Sequence, residues 1–176
     1  MTIQEIASKL VSNHSAFTDY IDSLSDKDFM FNRNEKWTAG QQLDHLIRAV
    51  KPLTQGFMLP SWVFGLLFGK SNRPGKTYEE LVEKYKLKLA AGGRASGQFI
   101  PPPISLSQKS DLIIKLNKLA GKLALQVSRL SEQDMDTYVL PHPLLGKLTL
   151  REMMYFTIYH VKHHEENIKA ELEKWR

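Results

Sequence analysis

Apolar residues recur at steps of three and four along most of this chain, and those steps divide it into helices. From Thr2 to about Leu24 the stripe is Ile3, Ile6, Leu10, Phe17, Ile21 and Leu24, one face of an amphipathic helix. His14 falls close to that stripe and reads as a histidine at the edge of the core or on the surface. Ser25 to Asp28 leads into a polar loop through Asn34. A second helix opens after Trp37, where Thr38 and Gln41 have the spacing of a capping box. Gln42, Leu43, Leu46, Ile47 and Val50 continue it, with His45 among them. Pro52 predicts a kink rather than a stop, because Leu53 and Phe57 extend the apolar face.

The stretch from Leu59 to Gly75 is strongly apolar but broken by Pro60, Gly65, Gly69 and Pro74. It reads as an irregular buried segment or short helix, or else as the wall or lid of an apolar pocket. Thr77 and Glu80 form another capping box and start a helix to about Ala90. Ala91 to Gly97 then breaks it. The paired glycines there match neither phosphate-loop nor dinucleotide spacing, so the segment reads as a flexible loop, stiffened at its exit by Pro101 to Pro103. Leu112, Leu116, Leu119, Leu123, Val127 and Leu130 predict a helix from about Ser107 to Leu130. Ser131 to Gly146 reads as a connection. Thr149 and Glu152 then cap a helix running to the end of the chain. There is no internal repeat and no convincing strand alternation. The expectation is one all-α domain over residues 1–176, a bundle of four long helices with a short extra one.

Composition narrows the chemistry. At 42% hydrophobic and 24% charged, the 176 residues are ordinary for a water-soluble domain. The net charge of +5 is spread among acids rather than gathered in a basic stripe, which argues against nucleic acid. The uncharged stretch from Gly56 to Gly69 contains Pro60 and falls well short of the roughly 20 residues that span a bilayer. No basic region followed by an apolar run opens the chain, so the expectation is a cytoplasmic protein with no membrane partner. The absence of cysteine removes thiolate nucleophiles and thiolate metal sites.

Six histidines remain: His14, His45, His142, His160, His163 and His164. At about 100° per residue, Leu150, Met153, Thr157, His164, Ile168 and Trp175 share one side of the last helix, with His160 at its border. His163 turns toward the polar side. His160 and His164, four apart, can therefore grip one ion from one face. His45, on a capped helix among apolar neighbours, is the natural third ligand. On spacing alone, a shared cation and separately hydrogen-bonded histidines account for the pattern equally well.

Two segments carry a family resemblance. They are Trp37-Thr-x-x-Gln41-x-x-x-His45 and His142-Pro-x-x-Gly146-x-Leu-Thr149-x-x-Glu152, the latter continuing to Tyr159-His160-x-x-His163-His164. They resemble the signature segments of the DinB-like superfamily, which includes YfiT-type proteins and thiol-dependent transferases. The order of helices fits over essentially the whole chain. The resemblance implies a four-helix bundle that holds zinc, nickel or another divalent ion on His45, His160 and His164. It also implies a homodimer.

An open position beside three histidines would suit hydrolysis of a small molecule, or activation of a low-molecular-weight thiol as cosubstrate. The alternative is a stress-associated metal-binding bundle without catalysis, acting through dimerisation or partners. His142 is the candidate catalytic residue, either a proton relay over the open metal face or simply exposed. Asp44 is either a partner of His45 or a solvated carboxylate. Trp37 reads as packing beside the helix cap, and Phe57, Trp62 and Phe64 as candidate walls of a pocket for a hydrophobic electrophile.

Overall fold

The computed structural model describes residues 1–33 and 36–175. Asn34, where the expected polar loop ends, lies outside them. Eight α-helices occur among the described residues: α1 (Ile3–Ser23), α2 (Asp26–Met30), α3 (Ala39–Gly56), α4 (Ser61–Phe68), α5 (Tyr78–Ala90), α6 (Lys109–Val127), α7 (Glu132–Thr137) and α8 (Leu150–Glu173). The capping boxes at Thr38, Thr77 and Thr149 all form, each threonine accepting from the backbone N–H three residues on. A fourth caps α1 at Thr2. α3 passes through Pro52 and ends at Gly56, with Phe57 buried just beyond it.

The four long helices close a ring. α1 packs on α6 and α8, and α3 packs on the same two. Side-chain bonds give their directions. Thr18 meets Asn117 and Lys109 reaches the carbonyls of Asp22 and Leu24, so α1 and α6 are antiparallel. Asn13 donates to Ile158 and Arg151 to Met1, so α1 and α8 are parallel. Gln42 meets His164 and His45 meets His160, so α3 runs against α8. Phe17, Ile21, Leu43, Leu116, Leu123 and Val161 fill the centre.

The expected polar loop after Ser25 and the expected connection Ser131–Gly146 both contain regular structure. The polar stretch after Ser25 includes α2, capped by the Ser25 hydroxyl at the N–H of Asp28. Its Phe29 is fully buried against Gly40 of α3, where an added Cβ would lie 2.8 Å from the ring. The connection Ser131–Gly146 holds α7 and the first strand of a hairpin. β1 (Val139–His142) pairs antiparallel with β2 (Gly146–Thr149), from Val139 opposite Thr149 to His142 opposite Gly146. Four-residue strands, one containing a proline, are too short to show alternation. Gly146 has φ +78°, a left-handed conformation that glycine adopts without strain and that lets the chain re-enter the hairpin. The hairpin delivers the chain directly into α8.

Candidate metal centre

Antiparallel packing of α3 and α8 puts His45 opposite His160 and His164, and all three are buried. Nε2 of His160 lies 3.2 Å from Nε2 of His45 and 3.0 Å from Nε2 of His164. A tetrahedral ion at about 2.0–2.1 Å from each nitrogen would set neighbouring nitrogens about 3.3 Å apart, so the spacing suits a shared cation.

The outer nitrogens decide what the inner ones offer. His45 Nδ1 is 2.7 Å from the carbonyl oxygen of Phe99, and His164 Nδ1 is 2.9 Å from Oε1 of Gln42. Both oxygens accept, so both Nδ1 atoms carry the proton and both Nε2 atoms present bare lone pairs. Burial holds His45 below its ordinary pKa and outweighs the opposing Phe99 carbonyl. Burial, and then the neighbouring imidazoles, holds His160 and His164 well below theirs. His45 and His164 therefore aim bare lone pairs at Nε2 of His160, and a shared cation would satisfy all three nitrogens at once. The three residues could thus hold a metal ion, and their ligand atoms all lie within 4.8 Å of one another.

Aromatic rings enclose the centre. Phe156 stacks on His160 at 4.6 Å, and Trp37 lies 4.9 Å from the His45 ring. Trp37 therefore walls the site as well as packing beside the cap. The loop after α5 supplies the Phe99 carbonyl and is tied to α3 by Arg48, which donates to the carbonyl of Gln98. Its far end is thus anchored rather than free. Asp44 is buried and bonds Arg48 at 2.6 Å, so it is neither solvated nor the partner of His45.

The three histidines line a cavity of about 1280 Å³ between α3, α8, the loop after α5 and the hairpin. Leu46, Val50, Leu53, Met153 and Ile100 give it apolar walls. The expected walls Phe57, Trp62 and Phe64 do not line it. Phe57 and Phe64 pack on each other 5.4 Å apart, and Trp62 is 56% exposed. Phe57 and Phe64 belong instead to the hydrophobic core, and α4 packs on β1.

His142 and His163 both line the cavity. His142 Nδ1 accepts from the backbone N–H groups of Leu144 and Leu145, each at 3.1 Å. Its proton is therefore on Nε2. Burial, with help from nearby Lys84, lowers its pKa to about 4, so the ring is neutral near pH 7. It meets Phe156 edge-on at 4.3 Å and is not a fourth member of the cluster. His163 is half-buried at the rim, 3.0 Å from Asn167. Gln42, Phe99 and Phe156 were not legible as site residues. Only Gln42, three residues before His45 and so on nearly the same helix face, carried a usable signal.

His14 also lines the cavity and is buried rather than at the surface. Its Nδ1 donates to the Leu10 carbonyl at 2.7 Å, and its Nε2 has no partner among the described residues. Burial lowers its pKa to about 4, against an ordinary 6.5. The unfolded chain binds this proton and the folded one does not between those values, so stability should fall as pH drops from about 6.5 toward about 4. The loss is on the order of 3 kcal/mol for His14 alone. Urea unfolding of wild type and His14→Leu across that range should give a visibly shallower pH dependence for the variant.

A family model described as the DinB superfamily matches residues 9–168. No curated protein and no solved structure is significantly similar to the chain. The matched span contains α3 whole, most of α1 and α8, and all three converging histidines, and so the chain belongs to the DinB superfamily.

Proposed function

We propose that this chain is a divalent-metal-dependent enzyme, a thiol S-transferase or a hydrolase acting on a small molecule, with His45, His160 and His164 as its metal ligands. The observation that supports it most is the convergence of three neutral imidazoles at the wall of a large, largely apolar cavity. An all-nitrogen set of this kind suits zinc or nickel. Such an ion, when bound, supplies Lewis acidity at an open coordination position, lowering the pKa of a thiol or water that binds there. The chain itself has no cysteine, so any thiol comes from a cosubstrate.

The protein's own groups bind and orient. Phe99 and Gln42 fix the tautomers of His45 and His164. His142 offers a fixed Nε2–H toward the cavity, a hydrogen-bond donor for negative charge developing on the electrophile or leaving group. With Nδ1 occupied by two backbone N–H groups, it serves as donor rather than base. The apolar walls favour a hydrophobic electrophile and keep water from competing.

Zinc- or nickel-loaded protein screened with small thiols against model electrophiles, and separately with esters, tests this reading. Turnover should vanish in His45→Ala with helicity retained. It should fall about a hundredfold in His142→Phe with metal content unchanged. No turnover with any thiol or ester would sink the enzymatic reading and leave a non-catalytic metal-binding bundle.

A further inference from the structure

α4 breaks the rule that a helix at a protein surface is apolar inward and polar outward. Its inward positions behave as expected. Phe64 is buried, an added Cβ at Gly65 would lie 2.7 Å from the Tyr138 ring, and Ser61 donates to Asp134. Its outward positions are apolar as well. Trp62, Leu66 and Leu67 are 56%, 76% and 63% exposed, and Met58 and Leu59 just before the helix are 65% and 47% exposed. Five large exposed apolar side chains within ten residues are the kind of concentration that marks an interaction surface.

The charges around the patch say what covers it. No Asp or Glu occurs from His45 to Tyr78, whereas Arg48, Lys51, Lys70, Arg73 and Lys76 do. Arg48 and Arg73 are paired with Asp44 and Glu152. Lys51, Lys70 and Lys147 form no ion pair among the described residues. Lys147 lies at the end of α4, its ammonium donating to the carbonyl of Phe68. The acid that meets α4 is Asp134, at the opposite end and bonded to Ser61. A second copy docked here about a two-fold axis would bring the same acid-poor segment to the interface, with no carboxylate from residues 45–78 to meet these lysines. An anionic bilayer surface satisfies both features at once. Apolar side chains enter the acyl boundary, a tryptophan sits at headgroup level, and flanking lysines meet lipid phosphates.

We propose that α4 and the preceding Met58–Leu59 form an interfacial anchor that docks this protein on anionic membranes. No helix of the described residues is long and apolar enough to cross a membrane, so the protein would lie on the bilayer rather than span it. The patch is separate from the histidine cavity, so docking is independent of whether the metal site is catalytic.

The test is co-sedimentation of the full chain with phosphatidylcholine vesicles containing phosphatidylglycerol, beside pure phosphatidylcholine vesicles, followed by analytical ultracentrifugation without lipid. Wild type should pellet with the anionic vesicles, and salt should release it. Leu66→Gln/Leu67→Gln, which alters only exposed side chains, should lower the partition coefficient by at least about tenfold. Lys70→Gln/Lys147→Gln should lower it by roughly tenfold as well. Failure of wild type to pellet, or equal pelleting of the apolar variant, would overturn the proposal. So would a wild-type dimer that the Leu66→Gln/Leu67→Gln change dissociates, since a second copy would then own the surface.

Discussion

His45→Ala, His160→Ala and His164→Ala should each empty the metal centre. Protein purified without a tag should carry near-stoichiometric zinc or nickel by mass spectrometry, and each variant should fall to background. Groups that merely orient a metal-bound histidine are worth about 10–100-fold in affinity, and removing a ligand must cost more than that. Gln42→Leu should show the smaller effect, because it frees the His164 ring from its 2.9 Å bond without deleting a ligand. His163→Ala is the control, since that ring bonds Asn167 and is not a member of the cluster.

A thermal readout accompanies the metal analysis. A ligand that binds only the folded chain stabilises it by about 2.7 kcal/mol at a hundredfold excess over its dissociation constant. Added metal should therefore raise the melting temperature of wild type and of His163→Ala, and leave the three ligand variants unmoved. An equal shift in all of them would mean adventitious binding elsewhere, and the three-histidine centre would be discarded.

Glu152→Ala should be the most destabilising single change away from the metal centre. The carboxylate is 1% exposed and bonds the Arg73 guanidinium through both oxygens at 2.7 Å. It also accepts from the backbone N–H groups of Lys76 and Thr149. Its removal strands two backbone donors and leaves the half-buried Arg73 guanidinium without its buried partner, which costs about 3 kcal/mol. That is a large share of the roughly 5–15 kcal/mol that holds an ordinary domain together. Arg73→Ala should cost a similar amount, because it leaves the buried carboxylate short of its counter-charge. Lys36→Ala, which removes an exposed pair with Glu171, should leave stability nearly unchanged.

The same residue predicts an acid response. Burial alone would raise the pKa of Glu152, but Arg73 and the N–H groups of Lys76 and Thr149 outweigh it and hold the group below its ordinary 4.5. A carboxylate lowered on folding contributes stability above its unfolded pKa and loses it as pH falls through the folded one. The contribution of Glu152 should therefore be lost from about pH 4.5 downward, below the range in which His14 acts, and Glu152→Gln should give a shallower profile in that lower range. A variant with the wild-type profile would show that the pair carries no net stability. Because Glu152 sits eight residues before His160 on α8, loosening it should also lower metal affinity.

The long helices and their starts were legible from local pattern. A threonine and a Glu or Gln three residues apart meet within one turn, so the boxes at Thr38, Thr77 and Thr149 needed no tertiary information. The four-residue spacing of His160 and His164 is equally local. Short elements were not legible. α2 and the hairpin hold too few residues for a period to emerge, and their stability comes from what they pack on, Phe29 on Gly40 being the case in point. The apolar run around Trp62 suggested burial by composition, yet half of its bulk faces outward.

Local pattern is enough to establish a helical chain with two histidines on one helix face and a third on another helix. That the three meet follows only from packing, because α3 and α8 run antiparallel at a register no local spacing specifies. Packing also decides which atoms face inward. The carbonyl that orients His45 belongs to Phe99, 54 residues away, on a loop whose own residues give no sign of it. Periodicity records which face of an element turns toward a neighbour. Which neighbour stands there, and which of its polar atoms is left to pair, depends on how distant segments pack.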